Sequence, residues 1–333
     1  MDIFTSFATI SVPLVATLST IYAIEKQQRK RWHYKIKNDF MDPTIDHHLM
    51  MKNLLEHDMP FMTRASLELG QFRTFAIPSI SKLLNSTGEY TKQCPIRYDD
   101  TDLILREILE NGVHSRRAEA AIARLNEIHG KYPSITNDDF LYTLSIFIVI
   151  PVIFIDKFGY RKVSKNEREA LFQSFRIIGN QMHIENIPKS YDATVIFHHE
   201  YERKYMKFST TNFNVGTATM DFFLEHSLPR FLRPIGRQFA ICLLDERLRA
   251  ALGIGPRPNL IISTAVSLIM FFRSVFVLRF MVASEYSRRR TPSKATCPYL
   301  TRWDPFDYAS YPRGYNLEDL GPKKKGIAAK KSQ

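Results

Sequence analysis

His129 is the residue whose placement asks for a chemical explanation. It ends an apolar stripe of Ala118, Ala121, Ile122, Leu125 and Ile128, which recur at the i, i+3, i+4, i+7 spacing of an amphipathic helix. The histidine falls on that stripe, four residues after Leu125, and Gly130 follows as a helix stop. Three roles are open to an imidazole there. It can be a hydrogen-bonded core group, a cation favoured at a helix C-terminus, or an axial ligand to haem iron, for which one buried imidazole on a helix suffices. Other histidines offer less. His33, His47, His48 and His57 lie in polar surroundings, and His198 and His199 are adjacent, so they cannot chelate as an i, i+4 pair would. His183, His198 and His199 stand in reserve should His129 prove to be a core residue. The chain has no HExxH, no paired ExxH helices for a di-iron site and no G-x-S-x-G elbow.

The elements that must position such a group are helices. Ser115 caps a helix over 115–130 that carries His129, and Asp99 or Asp100 can cap a preceding one over 101–112, ended by Gly112. Residues 137–159 are apolar nearly all round between Leu141 and Ile155, too short there to span a bilayer, and read as the central core helix. Ser164 and Glu167 form a capping box for 164–182, and further helices fall at 217–227 and 236–252. Residues 259–283 are apolar but interrupted by Arg273 and Arg279, which suits a helix packed on the domain or lying in the bilayer interface. Strand alternation, internal repeats and glycine-rich phosphate loops are absent, so the reading is all-α.

A formal net charge of +12 invites a nucleic-acid reading, which its distribution rejects. Residues 25–37 hold six bases against one acid and residues 323–331 five more bases, so these two stretches carry ten of the twelve net positive charges. The first follows 22 uncharged residues, 3–24, which reach roughly 33 Å as a helix. The basic residues come after the apolar run, which argues for a retained span and against a cleaved signal peptide. Pro13 kinks it, and the positive-inside rule puts everything after Glu25 in the cytosol. The closing Lys330-Lys331-Ser332-Gln333 resembles a dilysine signal for retrieval to the endoplasmic reticulum, which acts on a cytosolic tail. Expected regions are a lumenal 1–2, a transmembrane helix 3–24, a basic juxtamembrane linker 25–45, a helical catalytic domain 46–322 and a lysine-rich tail 323–333. Cys94, Cys242 and Cys297 make no CxxC pair and no covalent c-type haem site, and fit a reducing compartment.

Several strings share a pattern in order: QFRTFAIPSISKLL (71–84), RYDDTDLILREILENG (97–112), ARLNEIHGKY (123–132), DFLYTLSIFIVIP (139–151) and YPRGYNLEDLGP (311–322). Together they resemble the mpaB-type ER-bound oxygenases, relatives of bacterial rubber oxygenase (latex-clearing protein). The resemblance implies a globin-like helical domain with additional helices around non-covalent haem b, and cleavage by O₂ of a carbon–carbon double bond in an isoprenoid chain. It places the proximal iron ligand on His129 and the distal side on Arg97, Asp100 and Thr101. The residue before the threonine is a lysine in the bacterial enzyme and is Asp100 here, so a lysine-capped resting state is not carried over. Arg124, with Arg97, is a candidate partner of haem propionates, and Arg73 a further cofactor-pocket candidate. The implied partners are a lipophilic small-molecule substrate, O₂ and membrane lipid. Two other readings stay open on the same residues, a non-catalytic haem- or lipid-binding protein and a haem oxidoreductase that hydroxylates.

Overall fold

A computed structural model describes residue 17 and residues 19–26, 33–280, 289–291, 310–311 and 314–322. Most of the expected span 3–24 and the whole tail 323–333 lie outside the described residues; residues 19–26 are helical. Among the described residues there is no strand. The elements are α1 (His47–Lys52), running into a π-helical turn at Asn53–Asp58, then α2 (Pro60–Thr74), α3 (Pro78–Thr87), the single turn α4 (Glu89–Lys92) and α5 (Cys94–Asn111). They continue as α6 (Arg116–Gly130), α7 (Asn137–Phe158), α8 (Lys165–Gln181), α9 (Tyr191–Tyr205), α10 (Thr210–Ser227), α11 (Arg233–Leu243), α12 (Glu246–Leu252) and α13 (Leu260–Phe280).

The central helix is α7. Its Ile146, Ile148, Val149 and Ile155 are completely buried, each stabilising the fold by about 1.5–3 kcal/mol relative to exposure. It starts on a Thr136 cap that accepts from the Asp139 N–H and contains Pro151. The helix α2 crosses it antiparallel and in close contact. A Cβ added at Gly70 would sit 2.8 Å from Ile146 Cγ2, so only glycine lets the two backbones approach so near. The opposite end of the pair is fastened by charge: Asp58, just before α2, pairs with Arg161, just after α7, which also pairs with Glu167. Two hydrophobic clusters form, one among α5, α6, α7 and α8, the other where α2, α7, α9, α10 and α12 meet.

The local caps at Ser115 and Ser164 form as expected, the second with both halves of its capping box. Three boundaries differ. The helix expected from residue 101 starts at Cys94, because Pro95 fits a first turn that needs no N–H; Asp99, Asp100 and Thr101 are therefore interior, and none is a cap. The helix expected over 217–227 begins at Thr210 behind a Ser209 cap. The one expected over 236–252 breaks after Leu243, where Asp245 accepts from the Leu248 N–H and starts α12. The basic linker is also more than a tether. Residues 33–39 are helical, and Asn38 is fully buried, donating to Glu167 Oε1 at 3.0 Å and accepting from Asn53 at 2.8 Å.

Candidate functional site

The helices α3 to α8 enclose a cavity of about 240 Å³, mostly apolar, walled by residues such as Phe75, Ile104, Leu125, Phe140 and Phe147. Polar side chains interrupt the apolar lining. His129 comes from the last turn of α6, Arg97 and Thr101 from α5, Asp139 and Thr143 from α7, Gln71 and Thr74 from α2, Ser79 from α3 and Glu89 from α4. Such a space suits a hydrophobic molecule oriented by a handful of polar contacts.

Within it, His129 packs edge-on against Phe140 with ring centroids 5.1 Å apart. Its Nδ1 is buried and has no hydrogen-bond partner among the described residues, an arrangement that costs stability unless something binds there. Burial, and then the positive charge of Arg97, push its pKa down to about 4, so the ring is neutral at physiological pH, the form that ligates a metal. Among the described residues Arg97 forms no ion pair; its guanidinium lies over the Tyr90 ring, 5.7 Å from the centroid. The Thr101 hydroxyl donates to the Arg97 carbonyl at 2.9 Å, which leaves its oxygen to act as an acceptor.

The other three expected site residues stand outside this cavity wall. Asp100 is 2 % exposed and accepts from the Tyr311 hydroxyl and, at 2.9 Å, from the Gly321 N–H. Arg124 donates to the Leu320 carbonyl at 2.8 Å and pairs with Glu127. Both thus fasten the C-terminal strap, whose Tyr315 donates to Glu107 and whose Pro322 reaches the cavity wall. Gly321, with φ of +94°, lies so close to Ile128 that a Cβ would sit 2.4 Å from Ile128 Cδ1. The strap therefore joins α5, which carries Arg97, to α6, which carries His129. We expect Asp100→Asn to cost about 1–3 kcal/mol by putting an NH₂ group against donors in a buried site. Urea unfolding measures this, and the deficit should shrink when Tyr311→Phe is added.

Arg73 serves a separate cluster. It is held bidentately by Glu202 and also pairs with Asp245, while Tyr142 donates to Glu202 at 3.0 Å. His198 lies in the same network, Nδ1 3.1 Å from Ser145 Oγ and Nε2 3.2 Å from Glu202 Oε1. Ligand atoms of His198, His199 and Glu202 come within 4.8 Å of one another, but Glu202 is already committed to Arg73, and the group is an ion-pair network.

Asp139 was missed by sequence reasoning. It lines the cavity and accepts from Ser79 at 2.6 Å and Tyr201 at 2.8 Å. Its place three residues after a capping threonine reads simply as a helix start, so only the distant tyrosine reveals more. Tyr90, beneath Arg97, gave no sequence signal at all.

Residues 107–274 match the family described as ER-bound oxygenase mpaB/B'/rubber oxygenase, catalytic domain. The chain belongs to this family. Within the mpaB-type group it is 28% identical to the ER-bound oxygenase mpaB' of Penicillium brevicompactum, over 352 aligned positions covering 89% of this chain and 82% of that one. It is 30% identical to the ER-bound oxygenase mpaB of Penicillium roqueforti (strain FM164), covering 73% and 87% respectively. Its fold is similar to that of latex clearing protein in the closed state, with a TM-score of 0.53 and 14% identity over 73% of this chain and 69% of that one. This mpaB-type chain is thus an all-helical oxygenase. His129 and Arg124 fall inside the family match, whereas Arg73, Arg97, Asp100 and Thr101 precede it.

Proposed function

We propose that this oxygenase holds haem b non-covalently through His129 and cleaves a carbon–carbon double bond of a lipophilic, isoprenoid-bearing substrate with O₂. The observation that carries the reading is the buried, neutral imidazole of His129, its Nδ1 without a partner among the described residues, in the wall of an apolar cavity that also presents Arg97, which forms no ion pair among those residues. Those residues fit the group: one imidazole for the metal, apolar side chains for the macrocycle and an arginine for a negative charge. Bound haem would supply the redox-active iron at which O₂ is reduced.

The chain's own residues then do the rest. Arg97, which forms no ion pair among the described residues, donates N–H groups to negative charge that develops on oxygen, and the Tyr90 ring holds its plane. Thr101 accepts a hydrogen bond from a protonated oxygen, because its own proton is used within α5. Phe75, Ile104 and Phe147 keep water out and bind the hydrocarbon, at about 0.8 kcal/mol per buried CH₂. Asp100 and Arg124 act on this site through the strap, and Arg73 through the packing of α2 on α9. Residues 3–24 anchor the chain in the endoplasmic reticulum membrane in a single pass with the catalytic domain in the cytosol, a placement supported by the ER-bound relatives and the flanking charge.

The test is an absorption spectrum of detergent-purified protein with a pyridine haemochrome assay, then turnover of prenylated alkenes under ¹⁸O₂. We expect haem b near one per chain and label in two carbonyl fragments; label in a single alcohol would mean hydroxylation, and none a binding protein. Arg97→Ala should retain haem and lose at least tenfold in turnover, about 1.4 kcal/mol or more of transition-state stabilisation. Unchanged turnover would remove Arg97 from the site.

A further inference from the structure

The helices α7 and α13 are the two described helices apolar and long enough to cross a membrane, with mean hydropathy 2.0 and 2.1. Their surroundings are opposite: that stretch of α7 is 72% buried within the protein and that of α13 only 17%. One face of α13 packs on the domain through Ser263, Val266 and Met270, at i, i+3 and i+7. Farther along this face, Arg273 donates to Met62 Sδ and lies over the Phe61 ring, and Ser274 donates to the Gly159 carbonyl at 2.9 Å. The outer face is just as apolar. Leu260 and Ile261 are 80 % and 81 % exposed, and Leu268, Ile269, Phe271 and Phe272 are all exposed too. A helix apolar on every side belongs in a core or in lipid, and among the described residues this one has a core on one side only.

We infer that α13 is a second membrane contact, lying flat in the bilayer surface with its outer face among the acyl chains. It does not cross, because its inner face is fastened to the domain from Ser263 to Ser274, leaving no stretch that lipid can surround. Its position identifies the occupant as the bilayer. Arg273 and Ser274 meet Phe61, Met62 and Gly159 at the end of the α2–α7 pair where Asp58, Arg161 and Glu167 are linked. The segment that follows the basic cluster arrives at this same end, through Asn38 and its bond to Glu167. Around it Ile36, Phe40 and Phe61 are exposed. An N-terminal anchor and the apolar face of α13 thus emerge together, as a single membrane-facing end requires. The inference rests on the proposed N-terminal anchor and not on the haem reading.

The experiment uses the full chain reconstituted in phosphatidylcholine vesicles, with native cysteines replaced and single cysteines placed at Ile261, Leu268 or Phe272. These carry an environment-sensitive fluorophore, and Ile196, exposed on α9, is the control. Lipids bearing a nitroxide at shallow or deep acyl positions serve as quenchers. The expected result is quenching at all three α13 positions by the shallow lipid, several-fold stronger than by the deep one, and none at Ile196. A depth gradient from Ile261 to Phe272 would overturn the inference in favour of a spanning helix. Absence of quenching would overturn it in favour of a protein cover, identified as a second copy if the emission changes on dilution. All three positions are exposed, so the labelled chains should fold; circular dichroism checks this.

Discussion

His129→Leu is expected to empty the cavity of cofactor while leaving the apo protein as stable as before, or more so. In the apo protein His129 Nδ1 is buried without a partner, and such an atom costs about 1–3 kcal/mol. Leucine removes that cost and keeps most of the volume against Phe140. Haem retained through purification should fall below a tenth of the parent's, and the apo melting temperature should hold or rise by roughly 2–4 °C per kcal/mol recovered. A core histidine with an ordinary structural role gives the reverse pattern, lost stability and unchanged haem. The pH profile supplies a second readout. Burial and Arg97 hold His129 down to about 4 in the folded protein, against 6.5 for a free imidazole, so the unfolded chain binds the proton more readily. Stability from this group is complete above about pH 6.5 and is lost as pH falls toward 4. Other buried histidines, His47 and His198 among them, are shifted the same way, so the signature is the difference between parent and variant. The variant should show a shallower acid slope over that interval.

Arg73→Met should be the most destabilising single change in the molecule, by about 3–5 kcal/mol, with little loss of haem. Glu202 is 1 % exposed and faces Arg73, Tyr142 and His198. Burial alone would raise its pKa. The hydrogen bonds and charge of Arg73, helped by His198, overcome that and hold the carboxyl well below the usual range. Removing the guanidinium strands a buried carboxylate, which accounts for the size of the effect. In the parent, this pair's stabilisation is present above the ordinary carboxylate range and is lost only as pH falls well below it. The variant's Glu202 protonates at higher pH, so the deficit in urea midpoint should narrow as pH drops from 7 toward 4. Adding Glu202→Met should restore most of the loss. If Arg73→Met stays folded at parental stability but sheds haem, the arginine belongs to the cofactor and the cluster reading is wrong.

How far the sequence foretold this structure depended on the reach of each interaction. The caps at Ser115 and Ser164 close over three residues, and the capping box shows itself in the spelling. The stripe ending in His129 was legible for the same reason, and its last members, Leu125, Ile128 and His129, line a cavity with Arg97 and Thr101. Asp100 was not legible, because its partners Tyr311 and Gly321 lie 211 and 221 residues away. Arg73 reaches 129 residues to Glu202 and 172 to Asp245, so its matching string gave no hint that a pair of acids, not a cavity, awaited it. The core role of α7 was legible in its short, all-round apolar run with Pro151 inside, and the helix is buried; mean hydropathy alone, 2.0 against 2.1, does not tell it from α13. Among the described residues α13 contributes nothing to the cavity wall.

The strap also sets a clock. Tyr311, Tyr315 and Gly321 leave the ribosome after every helix they fasten, so α5 and α6 must first associate without the bonds to Asp100 and Glu107. During that interval Pro322 is missing from the cavity wall. A large, rigid guest has its easiest passage then, before Gly321 closes over Ile128. On the proposed function, the cell's supply of haem while the chain is being made then bears on how fully the cavity is loaded.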